Sequence, residues 1–506
     1  MSDTALWGVG LTFLMPLGYA LIAVGGLSED RARQASLGML AALGLATLAY
    51  FGCGFALQFG GVGLAYNRPG LEGLIWEWSA LGTTWGTGWG MVGLVGWGLT
   101  GPAASSSAYA LALANLPWVV TAALIPLISL RGRVPAWAAG LVGLLVGAVL
   151  YPLAGNWIWG GGWLANLGSN LNQGHGLIDI GGAGQVHLLG ATAALAGILV
   201  FLPRRSSSAK RGEPIPLPPV HLPLLAVLGA GLLLVGGPAW MLLNPLMDLQ
   251  ALDLSRMALN SILAAAAAVL VPLLYTWFVV GTADPLMAVR GLAAGTIAIL
   301  SAAAFVPPWA ALAIGVSVGL LTPLAVFAVD RVLRWDDPTA GLTVHGLGAI
   351  IGLLAIGLFA DGNAGIGWNG VGAGSYLGVA RQGVTGFLAG TGFQPDWPGQ
   401  MQAQVVGIVT LALFGFFGTW LFLAPLSLLF GGAHRRPPRA IAQTQAGDAV
   451  SSPGGVQPMP DPAMQEWGPA DEGAAAAMTE EVAPHQRPEL SAGYAPDQTR
   501  IPGAEV

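Results

Sequence analysis

The stretch VHLLGATAALAGILVF, residues 186–201, returns as VHGLGAIIGLLAIGLF at 344–359, and the two match at eight of sixteen positions without a gap. Each is an apolar run close to the roughly 20 residues that cross a 30 Å hydrocarbon core as a helix. Each also carries a histidine in its second position, His187 and His345. A duplicated apolar helix that keeps the same ionisable residue implies a duplicated membrane protein, and it raises the question of what the histidines do.

The rest of the chain agrees with a membrane setting. Of its 506 residues, 54% are hydrophobic and 9% charged, against about 25% charged in soluble chains. Apolar runs near span length recur to about residue 430, and the short alternating segments of a transmembrane barrel do not occur. The expected fold is an all-α polytopic membrane protein with eleven transmembrane helices. They lie near 5–26, 35–58, 107–130, 134–154, 184–203, 221–243, 258–280, 286–304, 308–329, 342–360 and 402–430. With the N-terminus outside and the C-terminus inside, the inner loops hold fourteen Lys and Arg, and the outer loops only Arg68, Arg256 and Arg381, as cytoplasmic enrichment of basic residues requires.

That charge split also places the Gly- and Trp-rich stretch IWEWSALGTTWGTGWGMVGLVGWGLT, 75–100. A span there would move twelve of the inner basic residues outside, so 61–105 reads as an extracellular loop insertion with its indoles at the interface. The first span has no basic residue before it and reads as a signal anchor rather than a cleaved peptide. The single cysteine, Cys53, excludes an intramolecular disulfide. The 77 glycines suit close helix packing. The membrane domain is expected over 1–433. From 434 the chain turns rich in Pro, Gly, Ala and Gln, with ten acidic residues after Arg439; 434–506 reads as a disordered cytoplasmic tail.

Ionisable residues inside a bilayer are costly and mark pathways or sites. Of six histidines only His187 and His345 fall inside expected spans; His221 begins one after a proline, and His175 falls in an outer loop, where it reads as solvated. Asp179 precedes His187 by eight residues, about two turns of a continuous helix and on roughly the same side. The histidine helices are the fifth and tenth spans. Equivalent helices five spans apart must cross in opposite directions, which makes two five-helix inverted-topology repeats plus a final helix. Substrate sites in such folds lie near the midplane between the repeats. The two imidazoles would meet there, able to share a proton and to line a narrow path for a small hydrogen-bonding molecule.

Three blocks then carry a resemblance: YPLAGNWIWGGGWLANLG at 151–168, IDIGGAGQVH at 178–187 and DDPTAGLTVHGLGAIIGLLAIGLFA at 336–360. With the span count and the repeat, the chain over about 5–430 resembles the ammonium transporters, methylammonium permeases and Rhesus glycoproteins. The resemblance implies a homotrimer in the plasma membrane, each subunit with its own hydrophobic pore, and no enzymatic activity, cofactor, metal or nucleic-acid partner. It implies that ammonium is gathered at an outer vestibule, loses its proton and passes the twin histidines as ammonia. Carried over, His187 and His345 line the transport pore. Trp159 and Asp179 serve ammonium recruitment, with Asn244 where the family usually has serine. Trp118 and Trp240 occupy the hydrophobic gate, where most members stack two phenylalanines.

Departures from the family pattern lie on the inner side. The turn after the third span reads LRGRV without the usual acidic residue, Ala340 replaces the second aspartate of the DDPxD pattern, and the family's regulatory C-terminal stretch is not recognisable. These count against a PII-type regulator. Two alternatives keep the fold: an ammonium sensor, whose known examples carry a kinase or cyclase module not seen in this tail, and a channel for a neutral gas such as ammonia or carbon dioxide. A haem or metal protein ligated by the two histidines would need further ligands that the sequence does not suggest.

Overall fold

A computed structural model describes residues 3–85, 87–130, 136–201, 221–242, 244–247, 252–335, 337 and 339–430. The chain divides into two units, Met1–Arg435 and Arg436–Val506. The expected tail at 434–506 lies outside the described residues, as do the basic loops 131–135 and 202–220 and two members of the DDP motif, Asp336 and Pro338.

Among the described residues, ten helices are long and apolar enough to cross a membrane, and an eleventh apolar helix is shorter. In chain order they are α1 (Gly8–Gly25), α2 (Ala32–Ala65), α3 (Ser106–Ser129), α4 (Trp137–Ile158), α5 (Ala183–Val200), α6 (Pro223–Leu242), α7 (Leu254–Val280), α8 (Pro285–Leu300), α9 (Pro308–Leu333), α10 (Gly341–Phe359) and α11 (Gly399–Leu428). The expected spans are all present as helices, but α8 stops at 16 residues. The predicted end at 304 is corrected: Ser301 to Phe305 form turns, folded by amide bonds from Ala302, Ala303 and Phe305 to the Ile299 and Ala302 carbonyls. The helix starts follow capping chemistry. Ser105 Oγ accepts the Ala108 amide at 3.1 Å and starts α3; Asp253 and Asp284 do the same for α7 and α8.

Packing repeats at the level of whole elements. Helices α2, α3 and α4 pack on one another, and so do α7, α8 and α9; α5 packs on α3 as α10 packs on α8. Helices α1 and α6 pair with each other, and α11 lies against both α5 and α10. The duplicated sequence is therefore a duplicated packing unit, with the two histidine helices in equivalent places.

The segment between α2 and α3 contains no span. It holds a two-stranded antiparallel ribbon, β1 (Glu77–Ser79) with β2 (Gly90–Gly93), and its Trp76, Trp78, Trp85 and Trp97 rings are exposed. Arg68 anchors it by donating to the carbonyls of Pro245 and Leu246, beyond α6. The segment between α10 and α11 is anchored likewise. Its Asp361 pairs with Arg256 at 2.7 Å, and Arg256 also donates to the Ala304 carbonyl.

Candidate functional site

The histidines begin their helices in the same unusual way. The first turns of α5 and α10 are π-helical, Ala183–Leu188 and Gly341–Gly346, with His187 and His345 inside them. Such wide turns concentrate at functional sites. Each is preceded by a residue in the left-handed region, Gly182 at φ +70° and Ala340 at φ +54°. Glycine takes that conformation freely; alanine does so at a cost of about 1–2 kcal/mol, so the surroundings of Ala340 must hold it there.

What holds each turn is a buried aspartate. Asp179 Oδ2 accepts the amides of Gly184 at 3.0 Å and Gln185 at 2.8 Å, and its Oδ1 accepts the Ser301 hydroxyl. Asp337 does the same in the second repeat, accepting the Gly341 amide at 3.0 Å and the Leu342 amide at 2.8 Å. Asp337 precedes His345 by eight residues, as Asp179 precedes His187. The expectation that Asp179 lies two helical turns from His187 on one face is corrected. The helix starts only at Ala183, and Asp179 acts from outside it as the cap that sets its first turn. Asp337 was not singled out from the sequence, although the same spacing could have found it.

The capped turns bring the imidazoles together. His187 Nδ1 and His345 Nδ1 are 2.9 Å apart, the rings lie nearly parallel at 15° with centroids 5.1 Å apart, and both side chains are buried. One ring must donate and the other accept across that contact, so in the neutral pair the two histidines are opposite tautomers. Tyr19, on α1, sets its ring edge-on to both, at 5.1 Å from His187 and 4.9 Å from His345. Nothing in the apolar sequence around Tyr19 marked it.

The indoles stack beside this pair. Trp118 from α3 and Trp240 from α6 have centroids 5.6 Å apart at 26°, and Trp240 lies 6.4 Å from His187. The Trp240 indole N–H donates to the Gly181 carbonyl at 2.8 Å, which fixes that ring against the Asp179 turn. Four of the expected site residues, Trp118, Trp240, His187 and His345, thus form one continuous ring column.

The other expected residues sit around it. Trp159, at the end of α4, is buried and meets Trp368 edge-on at 6.1 Å. Trp368, in a Gly-rich turn of the segment before α11, was missed because loop aromatics carry no periodic signal. Asn244 spends its Oδ1 on the Leu246 amide at 3.0 Å, a local turn bond. A buried amide network also went unnoticed in the sequence, where only charged groups and imidazoles were sought. Gln58 accepts from Tyr50 at 2.8 Å and donates to Asn115 at 3.2 Å, and Asn115 accepts from Tyr151 at 2.7 Å.

His175 is not solvated as expected. It is fully buried, edge-on to Tyr376 at 4.7 Å, and burial lowers its pKa to about 4. The unfolded chain therefore takes up a proton near pH 6.5 that the folded protein refuses until about pH 4. Stability contributed by neutral His175 is full above 6.5 and is lost as pH falls through that window, at up to about 1.4 kcal/mol per pH unit. The melting temperature of purified protein should fall from pH 7 to pH 5, and His175→Leu should flatten that decline.

Comparison with known proteins identifies the family and the fold. A model of the Ammonium Transporter Family matches residues 4–431. Ammonium transporter Amt2 of Archaeoglobus fulgidus is 32% identical over 361 residues, 70% of each chain. An ammonium transporter of Aquifex aeolicus is 29% identical over 302 residues, 60% of this chain and 61% of the relative. Among solved structures, Mep2 of Candida albicans superposes with a TM-score of 0.64 at 20% identity, covering 85% of both chains. A structure titled Sensor Amt Protein gives 0.63 at 22% identity, covering 84% of this chain and 92% of the other. These last two show the shared fold. The apolar helices make the chain a multi-pass membrane protein, and with the family's model spanning nearly all of its described residues, it belongs to the ammonium transporter family.

Proposed function

We propose that this protein conducts ammonium across the plasma membrane as a homotrimer, each subunit passing ammonia and a proton separately along the ring column. The observation that carries the reading is the 2.9 Å contact between two buried imidazoles, in a surround apolar enough to refuse a bare cation. A neutral amine crosses such a surround at small cost, whereas ammonium must first give up its proton. The histidine pair offers a route for that proton. One taken up at the free Nε2 of the donor ring makes an imidazolium, whose Nδ1 proton shifts to the partner, and the partner releases its own from Nε2.

In this reading Trp159, with Trp368, holds ammonium by cation–π contact worth on the order of 0.5–2 kcal/mol. Asp179 contributes by shaping the turn and by its negative charge. Asn244 joins recruitment through whatever its local turn leaves free. Trp118 and Trp240 form the lid. Aromatic stacking is worth about 0.5–1.5 kcal/mol, so if opening the lid limits the rate, Trp118→Phe or Trp240→Phe should speed methylammonium uptake about two- to tenfold. Unchanged uptake in both would place the limiting barrier elsewhere.

Reconstituted protein on a solid-supported membrane, challenged with an ammonium jump, tests the reading directly. A transient current scaling with protein density is expected. Substrate flux without current would mean a neutral-gas channel. Ammonium binding with neither flux nor current would mean a sensor.

A further inference from the structure

A cavity of about 800 Å³ lies beside the Trp159–Trp368 contact, and one carboxylate faces it. Tyr66, Glu77 and Trp89 wall it from the segment between α2 and α3, Gly161 and Asn166 from the segment after α4, and Asn369 from the segment before α11. Gly161 is two residues from Trp159, and Asn369 is next to Trp368. The cavity therefore borders the backbone that carries both rings. Among the described residues lining it, Glu77 is the one acidic side chain and none is basic.

The Glu77 carboxylate sits in a slot built for it. A Cβ at Gly61 would come 2.5 Å from its Oε2, and one at Gly90 would come 2.3 Å from the same atom. Both positions must lack a side chain for the carboxylate to fit. Its Oε2 is buried without a hydrogen-bond partner. Glu77 is half-buried, a carboxylate partly withdrawn from water without a counter-charge is costly, and the residues lining the cavity include aromatics and amides but no cation. We propose that Glu77 collects a small monovalent ammonium-type cation in this cavity and delivers it to Trp159. The chemistry argues for that class. One carboxylate beside the rings of Tyr66 and Trp89 suits a cation with cation–π affinity, whereas calcium takes six to eight oxygens, and no cluster of metal-ligating residues occurs among the described residues.

This role rests on the transport reading and adds a step before it. Burial raises the Glu77 carboxyl to about 7 against the opposing contact of Asn156, so protons and substrate compete there near neutrality. Tyr66, the other ionisable residue that lines the cavity, is raised to about 12 by burial, with the charge of Arg68 pulling it the other way.

The test is methylammonium uptake by the full chain in proteoliposomes, for wild type, Glu77→Gln and Gly90→Ala, the last pushing the carboxylate from its slot. Glu77→Gln should raise the half-saturating concentration about fivefold, the scale of one partly screened charge at close range. It should keep the maximal rate within about twofold and flatten the pH 6–8 dependence of half-saturation that wild type shows. Gly90→Ala should shift half-saturation in the same direction and serves where the Gln variant does not assemble. Wild-type half-saturation in the assembled variants overturns the role of Glu77 and leaves the transport reading intact. A wild-type preparation without uptake overturns the transport reading, and the Glu77 role falls with it.

Discussion

Replacing Asp179 by alanine should cost this protein its folded state or, short of that, its uptake of methylammonium. The carboxylate accepts the Gly184 and Gln185 amides and the Ser301 hydroxyl, and the residue is 1% exposed. Alanine strands three buried donors, each worth about 1–3 kcal/mol when left unmade. Their sum, on the order of 3–9 kcal/mol, is comparable to the roughly 5–15 kcal/mol that separates most folded domains from unfolding. Less assembled protein on size-exclusion chromatography and a lower melting temperature are the expected readouts. Asp179→Asn separates structure from charge, because an amide oxygen can still accept both backbone N–H groups. It should assemble, with slower uptake if the negative charge favours the arriving cation. Uptake at the wild-type rate in Asp179→Ala would remove this residue from the site.

The second large effect belongs to the histidine pair. His187→Ala or His345→Ala leaves one imidazole without its partner at 2.9 Å and breaks the route between the two Nε2 atoms. The ammonium-evoked current should fall about a hundredfold, the lower end of the range that a positioned proton-transfer group contributes. The variants should still fold and assemble as wild type does, because the turns around both residues are held by Asp179 and Asp337 rather than by the imidazoles. Selectivity should loosen as well: with one ring gone, a hydrated cation meets a wider and wetter passage, and a potassium current should appear. Wild-type current and pH dependence in both single variants would end the relay assignment, whatever the fold.

Where the reading of the residues reached these results, it did so through signals that survive in one dimension. Apolar length marked the helices, because each must bury its own backbone bonds in lipid. The matching stretches at 186–201 and 344–359 marked His187 and His345 as a pair, and their fifth and tenth places suggested two repeats. The odd separation of those two spans pointed to an inverted sense for the repeats, and loop charge pointed to an outer N-terminus. The short helix α8 was over-extended by four residues, because Ser301 to Phe305 are as apolar as the helix before them.

Other features had no such trace. That the first turns of α5 and α10 are π-helical depends on two aspartates reaching amides beyond a left-handed residue, a geometry that spacing on a regular helix misread. His175 looked like a loop histidine because burial against Tyr376 arises from residues some 200 positions apart. Tyr19, Trp368 and Glu77 each gain a role only from what packs beside them.

The amino-acid sequence alone determined that this chain lives in a membrane as a duplicated helical protein of a recognisable family with two intramembrane histidines, since hydrophobic length and repetition are local properties. Only the tertiary structure decided that the imidazoles touch, that two indoles stack next to them, and that a lone carboxylate occupies a glycine-walled slot near Trp159. Those facts depend on ångström-scale distances between separate helices and loops, and close packing sets such distances through the shapes of all the neighbours at once.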